Sequence, residues 1–167
     1  MVFWRITLKN IEVMSKNFAQ RFTTDKSWAV ISVSTRPEEF AVLSDVNRVD
    51  ALQLAFWDIA NPESSDISDL RKKNCFNKEQ AKQILDFVKN NESKIETLLV
   101  HCEAGISRSP AIAAAISKIL WNDDEMYFLK YMPNSFVYKM ILEEHFGAMV
   151  KVPEVEEKIY DSINCLE

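Results

Sequence analysis

Hydrophobic and polar positions along this chain alternate between the two-residue period of strands and the longer period of helices. Residues 2–8 alternate, which predicts a strand at a sheet edge. Residues 28–33 form a continuous β-rich run, typical of a strand buried on both faces. The alternation over residues 52–56 predicts a third strand, and the apolar run over residues 98–101 predicts a fourth.

Helical signals separate these strands. Three polar pairs have the spacing of a capping box, in which two side chains satisfy the free amides of a first helical turn. They are Thr35 with Glu38, Asn77 with Gln80, and Asn122 with Glu125. The first of these helices would turn Phe40 and Leu43 inward, and the second would bury a stripe of Ala81, Ile84, Leu85 and Val88.

The sequence predicts two further helices, a short segment of mixed periodicity and a loop. Residues 111–120 are apolar nearly all round and predict a helix in the core, and Asn134-Ser135 begins the last main helix. Residues 11–22 have mixed periodicity that is compatible with a short helix. Residues 61–69 are polar and rich in turn formers, which predicts a mobile loop.

Strands that alternate with helices predict an α/β fold. We expect a central, mostly parallel sheet of four to five strands with helices on both faces. The length of 167 residues suits one core. A single domain should therefore span residues 1–150, and residues 151–167 should form a C-terminal helix or tail that is packed on the domain or trails from it.

Composition narrows the partners. The formal charge is −5 with acidic and basic residues interspersed, which argues against the basic face that nucleic-acid binding needs. Two histidines and no Cys-x-x-Cys pair argue against a transition-metal site, and we expect no metal and no other cofactor. No apolar run approaches the roughly 18 residues of a membrane span. The N-terminus lacks a signal-peptide pattern, and three unevenly spaced cysteines suit a reducing compartment, so we expect a cytoplasmic protein. We also expect a monomer.

The strongest chemical signal is the segment from Cys102 to Arg108, here called the Cys–Arg loop, between the fourth strand and an alanine-rich helix. Ser109 is a good N-cap and Pro110 suits a first helical turn. Amides at such a helix start, together with its dipole, bind oxyanions and favour the thiolate form of Cys102. Arg108 can hold two phosphate oxygens in a fork, and Gly105 permits the positive φ that wrapping backbone around an anion requires.

His101-Cys102, five residues, and then Arg108-Ser109 resemble the signature loop of the cysteine-dependent protein tyrosine phosphatase superfamily, above all its dual-specificity-phosphatase-like branch. The resemblance implies a phosphatase fold in which Cys102 is the nucleophile and Arg108 clamps phosphate. It also implies that the Ser109 hydroxyl assists the departing thiolate and that a buried His101 orders the loop. The phosphate would be bound by Glu103, Ala104, Gly105, Ile106, Ser107 and Arg108.

A second stretch extends the resemblance. Pro133-Asn134 followed by Phe136 and Leu142 resembles a segment near the end of dual-specificity domains, where we expect a structural role. With it, the resemblance covers most of the domain.

A phosphatase of this type also needs a general acid, which in the family is an aspartate on a movable loop before the cysteine. Asp58 fits best because it follows Trp57 at a predicted strand end and precedes a flexible stretch. Asp58 nevertheless lies further from Cys102 than the dual-specificity type leads us to expect. Asp66 and then Asp69 are therefore kept as reserves.

Substrate class is predicted from the loop. Phosphoinositide phosphatases of the superfamily usually carry lysines there, whereas this loop has Glu103, Ala104 and Ile106. We expect a protein phosphatase acting on phosphotyrosine, with phosphoserine or phosphothreonine also open. One alternative is a catalytically silent module that docks phosphoproteins through the same loop. Another is a rhodanese-like or arsenate-reductase-like enzyme. Arsenate reductases need partner cysteines, and Cys75 and Cys165 are not obviously placed for that role.

Three features outside the loop have weaker interpretations. The run Arg71-Lys72-Lys73 is more simply a solvated charge run than a steering patch. Cys75 is a candidate to pair with Cys102 under oxidation. His145 is expected on the surface of a helix.

Overall fold

The computed structural model describes residues 6–148, in which a four-stranded, fully parallel sheet has the order β1-β4-β2-β3. The strands are β1 (Asn10–Ser15), β2 (Trp28–Ser34), β3 (Arg48–Ala55) and β4 (Thr97–Cys102). The two central strands, β2 and β4, are buried along their whole length. Because all four strands are parallel, their carboxyl ends share one edge of the sheet, where open α/β sheets bind ligands.

The described residues also form six α-helices, of which three lie between strands and three follow β4. They are α1 (Lys16–Ala19), α2 (Asp69–Lys73), α3 (Lys78–Asn91), α4 (Arg108–Trp121), α5 (Glu125–Lys130) and α6 (Ser135–Phe146), with a 3₁₀ turn at Pro37–Glu39. None of these helices is both long enough and apolar enough to cross a bilayer. The predicted α/β fold with a mostly parallel sheet is confirmed.

The two faces of the sheet are covered unequally. Helices α3, α4 and α6 contribute most of one large apolar core against one face. On the other face Ala19 of α1, Phe22 and Leu43 pack around Trp28, which is fully buried. The indole N–H of Trp28 donates to the Val46 carbonyl at 2.8 Å, so this large side chain closes the thinner face with its polar atom satisfied.

The strands and helices with the clearest periodicity match prediction. The buried run at residues 28–33 is β2, and the alternation at residues 52–56 covers the second half of β3 and extends just past it. Asn77 and Gln80 form a capping box at α3, and the Asn134 side chain caps α6 by accepting from the Val137 amide at 3.0 Å. Helix α4 is buried over most of its length, as its all-round apolar sequence predicts.

The predicted first strand is wrong in its described part. Residues 2–5 lie outside the described residues, and residues 6–8 are not in a strand. The amides of Thr7 and Leu8 donate instead to the Glu92 carbonyl at the end of α3. The edge strand is instead β1, which begins at Asn10 and overlaps the start of residues 11–22, the stretch of mixed periodicity. The short helix compatible with that stretch is α1.

Three predicted helix starts are also wrong. Thr35 caps no helix, because Arg36 precedes the 3₁₀ turn and the Thr35 hydroxyl has another partner in the site described below. Asn122 ends α4 in the left-handed conformation, which asparagine tolerates well, and Asp124 precedes α5. Helix α4 begins at Arg108 after Ser107, so Ser109 lies inside its first turn and not at its cap.

The polar stretch at residues 61–69 is a loop except at its end, where Asp69 opens α2. The Ser68 hydroxyl accepts from the Arg71 amide at 3.4 Å and caps this five-residue helix. Residues 151–167, predicted as a helix or tail, lie outside the described residues.

Candidate active site

Cys102 is the last residue of β4, flanked by the ends of β1 and β2 at the carboxyl edge of the sheet. The Cys–Arg loop follows it, and α4 begins at Arg108. The strand, loop and helix therefore succeed one another as the sequence predicts, and the loop lies at the amino end of a 14-residue helix.

Cys102 is 2% exposed, but its sulfur lies among polar groups. The Gly105 amide donates to Sγ at 3.3 Å, and the Ser109 hydroxyl lies 3.1 Å from it. An amide and a hydroxyl are donors that stabilise negative charge on an acceptor. The arrangement suits a sulfur that must carry charge before it reacts and after it departs.

Gly105 presses the loop against β1. Its φ is +70°, and a Cβ built on it would lie 2.6 Å from the Ser15 nitrogen and 2.7 Å from the Met14 carbonyl carbon. Only glycine fits both the backbone conformation and this close approach. The Lys16 amide donates to the Glu103 carbonyl at 3.2 Å, so the loop is fastened to the β1–α1 junction at two points.

Backbone hydrogen bonds leave most amides of the loop unused. The carbonyl of Ile106 accepts from the Met132 amide at 3.1 Å, and that of Ser107 accepts from the Asn134 amide at 3.0 Å. By contrast, the amides of residues 103, 104 and 106–108 donate to no acceptor within residues 6–148. A loop whose carbonyls are fixed and whose N–H groups are unpaired is suited to bind an anion.

Arg108 is held by two neighbouring segments. It is 6% exposed, and its Nη1 donates to the Phe56 carbonyl at 2.9 Å and to the Thr35 hydroxyl at 3.2 Å. These contacts come from the ends of β3 and β2, so the sheet sets the direction of the guanidinium. Both use Nη1, which leaves the other donors of the fork for a phosphate.

Asp58 lies beside the loop, although it is distant from it in sequence. One carboxylate oxygen, Oδ1, accepts from the Ser107 hydroxyl at 2.8 Å and from the Asn134 side-chain amide at 2.7 Å. The residue is exposed. The carboxylates of the reserve candidates make no hydrogen bond to the loop, since Asp66 lies in an exposed turn and Asp69 begins α2.

His101 is 1% exposed, as expected for a residue that supports the loop from behind. Its Nδ1 lies 3.5 Å from the Cys102 carbonyl, and its Nε2 has no partner within the described residues. Burial lowers the pKa of His101, so the neutral imidazole is favoured. Its register partner on β2 is Ser32, whose buried hydroxyl also has no partner there.

Two positioning residues were missed or given another role from the sequence. Its spacing to Glu38 makes Thr35 a predicted helix cap, whereas its hydroxyl accepts from the guanidinium of Arg108. The sequence predicts a structural role for Asn134, which both caps α6 and donates to the Asp58 carboxylate. Only the Pro133-Asn134 resemblance gave a signal for either one.

The weaker candidates lie outside the loop. Cys75 is buried, its thiol donates to the Arg71 carbonyl at 3.3 Å, and burial raises its pKa. No contact brings its sulfur to Cys102. The Arg71 guanidinium lies 5.9 Å from the centre of the ring of Trp57, the residue that precedes Asp58 in the sequence. His145 is exposed in the last turn of α6, as expected.

No family model matches the sequence, and no curated protein sequence matches it. Solved structures do match. The crystal structure of PTPMT1 in complex with PI(5)P has a TM-score of 0.54 at 14% identity, covering 86% of this chain and 94% of that one. A second structure of PTPMT1 has a TM-score of 0.51 at 16% identity, covering 81% and 87% of the two chains. The chain has the protein tyrosine phosphatase fold.

A further match is the human tyrosine phosphatase-like serine/threonine/tyrosine-interacting protein, at 19% identity and a TM-score of 0.49, over 72% of this chain and 77% of that one. The phosphatase fold that the resemblance of the Cys–Arg loop implies is confirmed by the two PTPMT1 structures.

Proposed function

We propose that this protein is a phosphatase that hydrolyses phosphotyrosine in proteins through a phosphocysteine intermediate. The observation that carries the proposal is the pair of hydrogen bonds that hold Asp58 at the Cys–Arg loop. A nucleophile, an anion clamp and a carboxyl group thereby meet at one edge of the sheet. Peptides that carry phosphoserine or phosphothreonine in place of phosphotyrosine would show whether the activity extends to those two esters.

In the first step the Cys102 thiolate attacks phosphorus, and the bond from phosphorus to the tyrosine oxygen breaks. The carboxyl group of Asp58 donates its proton to the leaving oxygen, which departs as the neutral phenol. Arg108 and the loop amides bind the phosphoryl oxygens throughout the transfer. Stabilising charge as it develops there is expected to contribute most to the rate.

In the second step water attacks the phosphocysteine. Asp58, now a carboxylate, takes a proton from that water, and the bond from sulfur to phosphorus breaks to release inorganic phosphate and the Cys102 thiolate. The Ser109 hydroxyl, 3.1 Å from Sγ, stabilises the departing sulfur by donating a hydrogen bond. The site returns to its starting protonation state with one water consumed.

The loop composition supports a protein substrate. The structure of PTPMT1 is in complex with PI(5)P. In this chain Glu103 is exposed on the loop and Ile106 is 50% exposed. An exposed carboxylate and an exposed aliphatic side chain on this loop disfavour a highly charged head group and suit an aromatic phosphate ester.

Hydrolysis of an aryl phosphate by the wild-type protein and three variants tests the proposal. Cys102→Ser should abolish turnover and retain phosphate binding. Asp58→Ala should lower kcat by about 10²- to 10⁴-fold, the usual range for general acid–base catalysis, and should remove the fall in rate at alkaline pH. Asp66→Ala, which changes an exposed carboxylate in the same segment, should leave kcat unchanged.

Other outcomes would contradict specific parts. If Asp66→Ala loses turnover and Asp58→Ala does not, the acid is assigned to the wrong residue. If the wild-type protein binds phosphotyrosine peptides but hydrolyses neither them nor an aryl phosphate, the proposal is wrong and the silent docking module is favoured.

A further inference from the structure

A groove of about 570 Å³ opens beside the Cys–Arg loop. It begins at Ala104 and Gly105 and extends along the end of β1, helix α1 and the turn that follows; we call it the β1–α1 groove. Its outer walls are formed by Phe18, Arg21, Phe22 and Tyr131. Since it shares Ala104 and Gly105 with the Cys–Arg loop, the groove adjoins the loop directly.

The groove combines exposed aromatic surface with one cation. Phe18 is 68% exposed, and in the groove lining it is joined by two partly exposed aromatic residues, Phe22 and Tyr131. Arg21 is exposed and forms no ion pair within residues 6–148. The nearby Lys16 differs, because its Nζ donates to the Glu39 carbonyl at 2.8 Å and lies 3.7 Å from a Glu103 carboxylate oxygen.

The turn that carries Arg21 is well anchored. The Arg21 amide donates to the Phe18 carbonyl at 3.0 Å, and the Phe22 amide donates to the Ala19 carbonyl at 3.1 Å. The Phe22 ring packs edge-on against the buried Trp28, with ring centres 4.9 Å apart. A fixed backbone presents the arginine at low entropic cost, which favours its use in recognition.

We propose that the β1–α1 groove binds the residues flanking the phosphotyrosine, with Arg21 pairing with an acidic side chain of the substrate. This inference rests on the proposed function and adds its substrate class, phosphotyrosine followed or preceded within a few residues by Asp or Glu. Charge complementarity carries it, since the guanidinium is available and forms a fork suited to a carboxylate. The aromatic walls contact the adjacent backbone and side chains.

The test compares two phosphotyrosine peptides that differ only in having Glu or Gln at the flanking positions. The wild-type protein should have a KM about two- to five-fold lower for the Glu peptide, the range expected when one exposed ion pair is gained. Arg21→Gln should abolish this difference and leave kcat unchanged. Lys82→Gln, which removes the same charge from the exposed face of α3, should preserve it.

An aryl phosphate, which has no flanking residues, separates this inference from the proposed function. Its turnover by the wild-type protein tests the phosphatase activity alone, and Arg21→Gln should not alter it. Peptide affinities measured on Cys102→Ser should follow the same order as KM. If Arg21→Gln leaves the ratio of KM values for the Glu and Gln peptides unchanged, peptide binding in the groove is refuted. It is also refuted if a short-chain phosphatidylinositol phosphate is the better substrate and Arg21→Gln impairs the hydrolysis of that lipid.

Discussion

Gly105 offers the sharpest test of how the Cys–Arg loop is supported, because the chain contains a matched control. Gly105 and Gly147 have nearly the same left-handed backbone, with φ of +70° and +67°. A Cβ at Gly147 would meet nothing within 4 Å, whereas one at Gly105 would lie 2.6 Å from the Ser15 nitrogen. The two alanine variants therefore share conformational strain and differ in steric overlap.

The expected magnitudes follow from these two costs. An alanine in the left-handed region costs about 1–2 kcal/mol at either position. At Gly105 the overlap adds about 1–3 kcal/mol, as for overpacking in a core. To relieve it, the loop must retreat by about 0.8 Å, the difference between 2.6 Å and an ordinary contact of 3.4 Å. A displacement near 1 Å costs on the order of 10²-fold in rate.

Urea unfolding and aryl phosphate turnover measure both effects, at a temperature where both variants remain folded. Gly147→Ala should lose about 1–2 kcal/mol of stability and keep its kcat/KM. Gly105→Ala should lose more stability and about 10²-fold in kcat/KM. If the two variants lose the same stability and both keep their turnover, the loop does not rest rigidly on β1 and the reasoning is wrong.

Three further predictions concern side chains around the loop. Burial lowers the pKa of His101, so below about pH 6.5 the unfolded chain binds a proton at this residue that the folded chain does not bind. The free energy of unfolding should therefore fall as the pH drops below about 6.5. His101→Asn should weaken this pH dependence in urea unfolding measured at several pH values. Thr35→Val removes a hydrogen bond to the guanidinium and should lower kcat/KM by about ten-fold, whereas Thr35→Ser should retain activity. Asn134→Ala and Asn77→Ala each remove a helix cap and should each cost about 1 kcal/mol in urea unfolding, but only the former should reduce turnover.

Each of these three has an outcome that contradicts it. An unchanged pH slope in His101→Asn would show that other groups govern acid stability. Equal activity of Thr35→Val and Thr35→Ser would show that the guanidinium needs no help from the hydroxyl. A loss of turnover in Asn77→Ala would show that helix stability, and not the contact with Asp58, limits activity.

Local pattern was enough to predict the elements whose own residues determine them. The buried run of β2 and the capping box of α3 contain their signals within a few residues, and so does the strand–loop–helix around Cys102. The glycine requirement at Gly105 was also visible, although its partner on β1 was not. Short-range signals suffice where the stabilising interactions are themselves short-range.

Prediction failed where a residue is used by a distant partner. Thr35 and Glu38 have the spacing of a capping box, but the Thr35 hydroxyl accepts a hydrogen bond from Arg108, which is distant in sequence. No rule based on neighbouring residues can predict this contact. Thr7 and Leu8 alternate like a strand, yet the Glu92 carbonyl binds their amides. The contact between Asp58 and Ser107 likewise depends on the parallel order of β3, β2 and β4, which the sequence suggests only in outline.

The dependence of the Cys–Arg loop on β1 limits how the site can be transplanted. A peptide spanning β4, the loop and α4 would contain every residue of the signature, yet it would lack the Met14–Ser15 backbone on which Gly105 rests and the strand ends that aim Arg108. Grafting the motif into a foreign scaffold would therefore require that scaffold to provide an equivalent floor and equivalent anchors. The smallest unit that preserves the geometry of this site is the whole sheet edge.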